Sequence, residues 1–325
     1  MVCQVRDHPL VQKVTQLYEK ISSLQDLRPS KDVDTLFTQL VHTCIPPSPI
    51  DVTALPCPKL HLMRSHLIKL CGQAESLLES HFSALLGDSY QFPIQNLQIF
   101  PYYSNYINLA RLEFSLLKDQ LPADGSLPRK VAFVGSGPLP LTSIVLARDH
   151  LTDSIFYNYD IDPSAQSMAE KLVSSDPELS KRVLFQTSDI FKVTDELRDY
   201  DVVFLAALVG LDKEEKVRVV EHLARYMNDG AVLMARSAHG ARAFLYPVLE
   251  PSQLQGFKVL SVYHPSDEVI NSVVVARKCP LPSTILPKDG KKDKQFAGCN
   301  KCSNQFCGLD YGNNNDTVIE PGLIL

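Results

Sequence analysis

The segment Lys130-Val-Ala-Phe-Val-Gly-Ser-Gly-Pro-Leu-Pro-Leu-Thr142 constrains the fold more than any other part of the chain. A short run rich in Val and Phe ends at Gly135-Ser136-Gly137, and a helix-compatible apolar segment, Leu141 to Ala147, follows. The next apolar-aromatic run, Ser154-Ile-Phe-Tyr-Asn-Tyr159, ends in Asp160-Ile161-Asp162. Strand, glycine turn, helix, strand, acid is the order of a nucleotide-binding βαβ unit. Its glycines let the backbone approach a ligand, and a carboxylate about twenty residues on binds a ribose hydroxyl pair. The order implies an adenosine-containing small molecule.

A dinucleotide site wants a third glycine after the second, so that a helix N-terminus touches the pyrophosphate. Pro138-Leu139-Pro140 stands there instead, and proline removes the N–H donors a phosphate needs. The pattern therefore favours an adenosyl ligand without phosphates, of which S-adenosylmethionine is the natural example.

Composition removes several function classes. Net charge is −5 over 325 residues, with no basic block before the tail, against the basic face of a nucleic-acid binder. No apolar run approaches the roughly 20 residues that span a bilayer. The N-terminus has no apolar signal region, so a cytoplasmic protein is expected. There the eight scattered cysteines stay reduced.

Proline-rich breaks at Cys44–Pro58 and Leu121–Pro128 divide the chain. Helices are expected around His8–Leu24, Lys31–His42 and Tyr103–Gln120. A further helix spans Leu67 to Leu86, from the apolar stripe Leu67, Cys71, Ala74, Leu78, Phe82, Leu85, with Gly87 as its stop. Strands are expected at Val131–Val134, Ile155–Tyr159, Val183–Thr187, Asp201–Ala206, Ala231–Arg236, Phe257–His264 and Val273–Arg277, with a helix at Asp212–Met227. The alternation predicts an α/β fold: a Rossmann-like, doubly wound sheet of seven strands, the last antiparallel, as in class I S-adenosylmethionine-dependent transferases. An all-helical domain over 1–125 would cap it, the sheet domain would occupy 126–278, and 279–325 would be a flexible tail. Cys299, Cys302 and Cys307 in that tail make three of the four ligands a zinc site needs, so no metal site is expected.

Ligands of such sheets bind beyond the carboxyl ends of the strands. Those ends offer Gly135, Ser136 and Gly137, then Asp160 for the ribose, with Asp162 as ribose ligand or turn former. Asp189 follows for the adenine amino group, and Ala206 and Ala207 for an adenine face. The polar loop after the fifth strand adds Arg236, His239, Arg242 and Tyr246, and either arginine suits a carboxylate. Near the next strand end stands His264, which reads as a structural loop residue. Glu75 and Glu79, one helical turn apart at a core margin, are candidate bases, since burial raises a carboxyl pKa. Three tyrosines and an Asn within Phe100–Tyr106 suit a polar-aromatic pocket.

Four strings carry a resemblance: Phe100-Pro-Tyr-Tyr-Ser-Asn-Tyr-Ile-Asn-Leu109, Val131–Pro140, Tyr200–Gly210 and Arg236–Pro247. Over about Leu10 to Lys278 the chain resembles nicotianamine synthases of the plant type. The resemblance implies condensation of three S-adenosylmethionine molecules into nicotianamine, a chelator for iron, zinc and copper transport. Three methylthioadenosines would be released, and no cofactor is needed beyond S-adenosylmethionine as substrate. It also implies a helical carboxylate and Tyr106 as the proton-removing pair. Glu75 and Glu79 both remain open for the carboxylate, with the position of Glu75 against Cys71 and Leu78 in its favour.

Other readings make different predictions. A small-molecule methyltransferase shares fold and ligand and differs in the carbon attacked, and a non-catalytic sensor would bind without turnover. A homo-oligomer is compatible with the sequence. Tyr106-Ile-Asn-Leu109 and Leu116-Leu117 also match trafficking motifs, which would give a vesicle-associated pool, although core packing accounts for both.

Overall fold

The computed structural model describes residues 8–280 apart from 49 and 123. The cysteine-bearing stretch at Cys299–Cys307 lies outside the described residues.

Four helices come first. In α1 (Pro9–Ser22), Val11, Val14, Leu17 and Ile21 recur every three or four residues and are all buried. Ser30 caps α2 (Lys31–Cys44), its hydroxyl accepting from the Val33 N–H. The third helix, α3 (Pro58–Ser89), runs 32 residues, well beyond the predicted stripe. Pro58 fits its first turn, where no N–H partner is required. Gly87 does not stop it: the helix continues to Ser89, and Gly87 lies against the Lys171 side chain. After a 3-10 segment at Pro93–Ile99, α4 covers Tyr103–Lys118.

The sheet comprises β1 (Lys130–Val134), β2 (Ile155–Asp160), β3 (Val183–Thr187), β4 (Val202–Leu205), β5 (Val232–Ser237), β6 (Phe257–Tyr263) and β7 (Ser272–Lys278). Their order is β3-β2-β1-β4-β5-β7-β6. The first five are mutually parallel, and β7 runs antiparallel between β5 and β6. This is the expected fold. Crossovers α5 (Leu141–Asp149), α6 (Pro163–Ser174) and α7 (Lys213–Tyr226) cover the sheet. The strand order reverses between β1 and β4, which opens a crevice at their carboxyl ends.

Period-two alternation decides what each face packs against. Val131 and Phe133 point to a core shared with Leu86, Leu109 and Leu117 from α3 and α4. Ala132 and Val134 point to the opposite face, with Val219, Val220 and Leu223 of α7. The helical segment is thus joined to the sheet through one continuous apolar core. A third cluster joins α1, α2 and the first half of α3 to Phe244 and Leu245 after β5. These contacts hang α3 and α4 across the crevice.

Candidate active site

The crevice holds a cavity of about 580 Å³, walled by the β1–α5 turn, the β2 and β4 ends, and one face of α3. Gly135 and Gly137 have φ of 81° and 66°, left-handed values that only glycine adopts without strain. A Cβ on Gly135 would come within 2.3 Å of Val209 Cγ2, and one on Gly137 within 2.8 Å of Glu79 Oε2. The turn therefore lets the post-β4 loop close on Gly135 and the α3 carboxylate close on Gly137.

The backbone donors of this turn are already committed. Gly135 and Ser136 N–H both donate to the Tyr159 carbonyl, at 2.8 and 3.2 Å. Gly137 N–H donates to Asp160 Oδ2 at 2.8 Å. The three N–H groups of Gly135–Gly137 are thus engaged within the protein. The Ser136 hydroxyl, by contrast, is buried in the cavity wall without a partner among the described residues. Asp160, Asp189, Ala206 and Ala207 all line the cavity. Asp162 is exposed and caps α6, accepting from Ser164 N–H at 2.8 Å, so it takes the turn-forming role.

The loop after β5 divides. Arg236 reaches the cavity, whereas Arg242 turns away and bonds the carbonyls of Pro265 and Asp267. His239 is not brought to the cavity: it is exposed, lines neither cavity, and stacks on His264 with centroids 4.0 Å apart. The Gly240 that follows is left-handed and lies against the Ser48 carbonyl. His264 is structural, bonded to Ser272 Oγ, and burial beside His239 lowers its pKa to about 4.

A second cavity of about 440 Å³ lies on the far side, between α2, α3 and the Phe100–Tyr106 segment. Glu75, Tyr106, Tyr246 and Asn271 line both cavities and form the seam. There a chain of hydrogen bonds runs through two carboxylates. Tyr246 Oη donates to Glu75 Oε2 at 2.8 Å. Tyr106 Oη lies 2.8 Å from Glu79 Oε1 and 3.4 Å from Glu75 Oε1. Burial raises the Glu75 pKa, with Tyr246 and Arg236 opposing it. Glu79 is raised further, by burial and then by the Glu75 charge. Burial, followed by the adjacent carboxylates, drives Tyr106 well above the ordinary phenol value. Two carboxylates that meet one phenol oppose each other's ionisation, so one of the pair is suited to take a proton.

Arg236 is fixed from behind. Its Nε and Nη2 meet Glu113 Oε1 and Oε2 at 2.7 and 2.9 Å, and Nη2 also donates to Thr142 Oγ1 at 2.7 Å. Glu113 is wholly buried and Arg236 is 7% exposed.

The model for the family described as "Nicotianamine synthase protein" matches residues 3–283. The chain belongs to the nicotianamine synthase family. It is 62% identical to nicotianamine synthase of Solanum lycopersicum over 286 residues, 88% of either chain. It is 61% identical to probable nicotianamine synthase 4 of Arabidopsis thaliana over 302 residues, 93% of this chain and 91% of that one. The solved structure of MtNAS in complex with MTA and tNA has the same fold. Its TM-score is 0.70 at 24% identity, covering 84% of this chain and 99% of that one.

Among the polar residues that sequence reasoning missed at this nicotianamine synthase site are Glu113, Thr142 and Asn271. Glu113 carried a readable signal, since it falls between Leu109 and Leu117 at four-residue spacing, on the buried face of α4. Thr142 and Asn271 carried none. The motif-like Tyr106-Ile-Asn-Leu109 string is spent on the fold, with Tyr106 at the seam and Leu109 and Leu117 in the core. Among the described residues no helix is long and apolar enough to cross a membrane, and no cluster of metal-ligating side chains occurs.

Proposed function

We propose that the chain condenses three molecules of S-adenosylmethionine into nicotianamine and releases three of methylthioadenosine. The observation that carries this reading is the Tyr246–Glu75–Tyr106–Glu79 chain at the seam of two cavities, facing the glycine turn. A donor in the first cavity has its adenosine beside Asp160, Asp189, Ala206 and Ala207, its sulfonium near Gly137, and its carboxylate toward Arg236. An acceptor amine enters from the second cavity, with the helical segment as a cap over both.

The acceptor arrives as an ammonium, which has no lone pair. A carboxylate of the Glu75–Glu79 pair takes its proton, and the Tyr106 hydroxyl, bonded to both, holds the pair in place. The free amine then attacks the aminocarboxypropyl carbon next to sulfur. A C–N bond forms, the C–S bond breaks, and its electron pair neutralises the sulfonium as methylthioadenosine leaves. Holding nucleophile and electrophile in line selects this carbon over the methyl. Two such transfers extend the chain, and an internal attack of the same kind closes the azetidine ring. Metal is cargo for the product and takes no part in these steps. The buried free thiol of Cys44 suits a reducing cytoplasm.

Incubation with S-adenosylmethionine alone tests the reading. Methylthioadenosine and nicotianamine accumulate without an added acceptor; S-adenosylhomocysteine in their place would make the chain a methyltransferase.

A further inference from the structure

Asn271 is the one seam residue without a role in the proton-transfer chain. It lines both cavities, is 7% exposed, and its Nδ2 is sealed from solvent with no hydrogen-bond partner among the described residues. A buried amide donor left unmade costs stability that a hydrophobic residue of similar size would not. Such a group is retained where a ligand completes it.

The position is rigid. Asn271 immediately precedes β7, whose first residue, Ser272, pairs with Ser237 of β5, next to Arg236. Its backbone is therefore placed by the central part of the sheet and not by a free loop.

The charge of the second cavity identifies the ligand group. No lysine or arginine lines it, while Asp34 and Glu75 do. Its one histidine, His81, is exposed, so an amino acid entering there brings a carboxylate with no lysine or arginine to meet it. The amine of that molecule must reach the Glu75–Tyr106 pair, and its carboxylate sits on the same carbon as the amine. A neutral double donor at the seam is what that carboxylate needs.

We propose that Asn271 is a substrate-binding residue that takes the α-carboxylate of the acceptor, so that the acceptor amine faces the donor. Arg236 serves the donor's carboxylate, and Asn271 serves the acceptor's. The assignment rests on the synthase reading above.

Calorimetry on the full chain separates the two sites. Methylthioadenosine is titrated first, and nicotianamine is then titrated into the saturated complex. Asn271→Ala and Asn271→Asp should bind methylthioadenosine within about twofold of the native protein. Nicotianamine should weaken about tenfold in Asn271→Ala. It should weaken more in Asn271→Asp, which keeps the shape and sets a carboxylate against a carboxylate. Should Asn271→Ala fail to fold, the isosteric aspartate carries the test. Nicotianamine affinity within twofold of native in the aspartate variant overturns the proposal, as does an equal loss of both ligands. A native protein that binds neither ligand defeats the synthase reading itself, and this assignment with it.

Discussion

Tyr246 donates its phenolic hydrogen to Glu75 Oε2 at 2.8 Å, across 171 residues of chain. The bond joins the loop after β5 to the middle of α3, so the folding of the cap onto the sheet sets the state of the carboxylate. Donation to the charged form favours it and holds the Glu75 pKa below what burial alone would give. Tyr246→Phe removes that support and moves the Glu75 pKa further up. A base works deprotonated, so the acidic limb of the rate profile moves to higher pH. Methylthioadenosine release at pH 7 should fall about tenfold and recover as pH rises. A variant slowed equally at every pH would show that the phenol acts otherwise.

Glu79 carries a second, thermodynamic consequence. Its pKa in the folded chain is raised by burial and by Glu75, so the stability it contributes is greatest when it is protonated. That contribution is fully present below the unfolded carboxyl value and is lost as pH rises through the raised folded value. Glu79→Gln mimics the protonated form at every pH. The variant should match native stability at pH 4 and exceed it at pH 8 by about 1.4 kcal/mol for each unit of raised pKa. Urea unfolding at the two pH values measures it, and equal differences at both would mean the carboxyl is not strained. Activity should drop about 100-fold or more if Glu79 holds the working proton.

The Arg236–Glu113 pair has no solvent to relax into. Removing one partner of a buried pair leaves an uncompensated charge and costs about 3–5 kcal/mol. Glu113→Ala should therefore lower stability by that order, measured by denaturant unfolding. The double replacement Glu113→Leu with Arg236→Met restores shape without charge and should recover most of the loss. It should not recover methylthioadenosine production, because the donor's carboxylate has lost its cation. Full activity in the double variant would remove Arg236 from substrate binding.

Most of the fold was legible because its signals are local. Val131 to Val134 alternates between two buried faces, and the glycine turn with Asp160 fixes a strand–helix–strand unit, as found. The stop expected at Gly87 failed because the Leu86 contact with the sheet core and the packing on Lys171 outweigh glycine's poor helix propensity. Within the site, residues on strand ends were readable, since topology alone brings Ser136, Asp160 and Arg236 to one edge. The rest depends on contacts that no spacing encodes. Asn271 faces the seam because β7 lies beside β5, and His239 stacks on His264 instead. Which glutamate meets Tyr106 was not legible either, since both stand on one face of α3 and both do so.

Lys216 of α7 offers a test of the loop that walls the adenosine site. Its amine is buried under the post-β4 segment and donates to the Ala207 carbonyl at 2.7 Å, with Ala206 at 3.4 Å. Burial lowers its pKa to about 7 from an ordinary value of 10.5. With the folded value depressed, the stability the amine contributes is fully present above the unfolded value and is lost as pH falls through about 7. Between those limits the unfolded chain holds a proton that the folded chain lacks, so native stability gains on the order of 1.4 kcal/mol per pH unit from this group. Lys216→Met removes that slope and leaves the Ala207 carbonyl unpaired, at a cost of about 1–3 kcal/mol. The variant should be more stable than native at pH 6, and that advantage should shrink by about 2–3 kcal/mol by pH 9. Denaturant unfolding of both proteins side by side cancels every other titrating group. Parallel stability curves across that range would mean the amine stays charged under the loop.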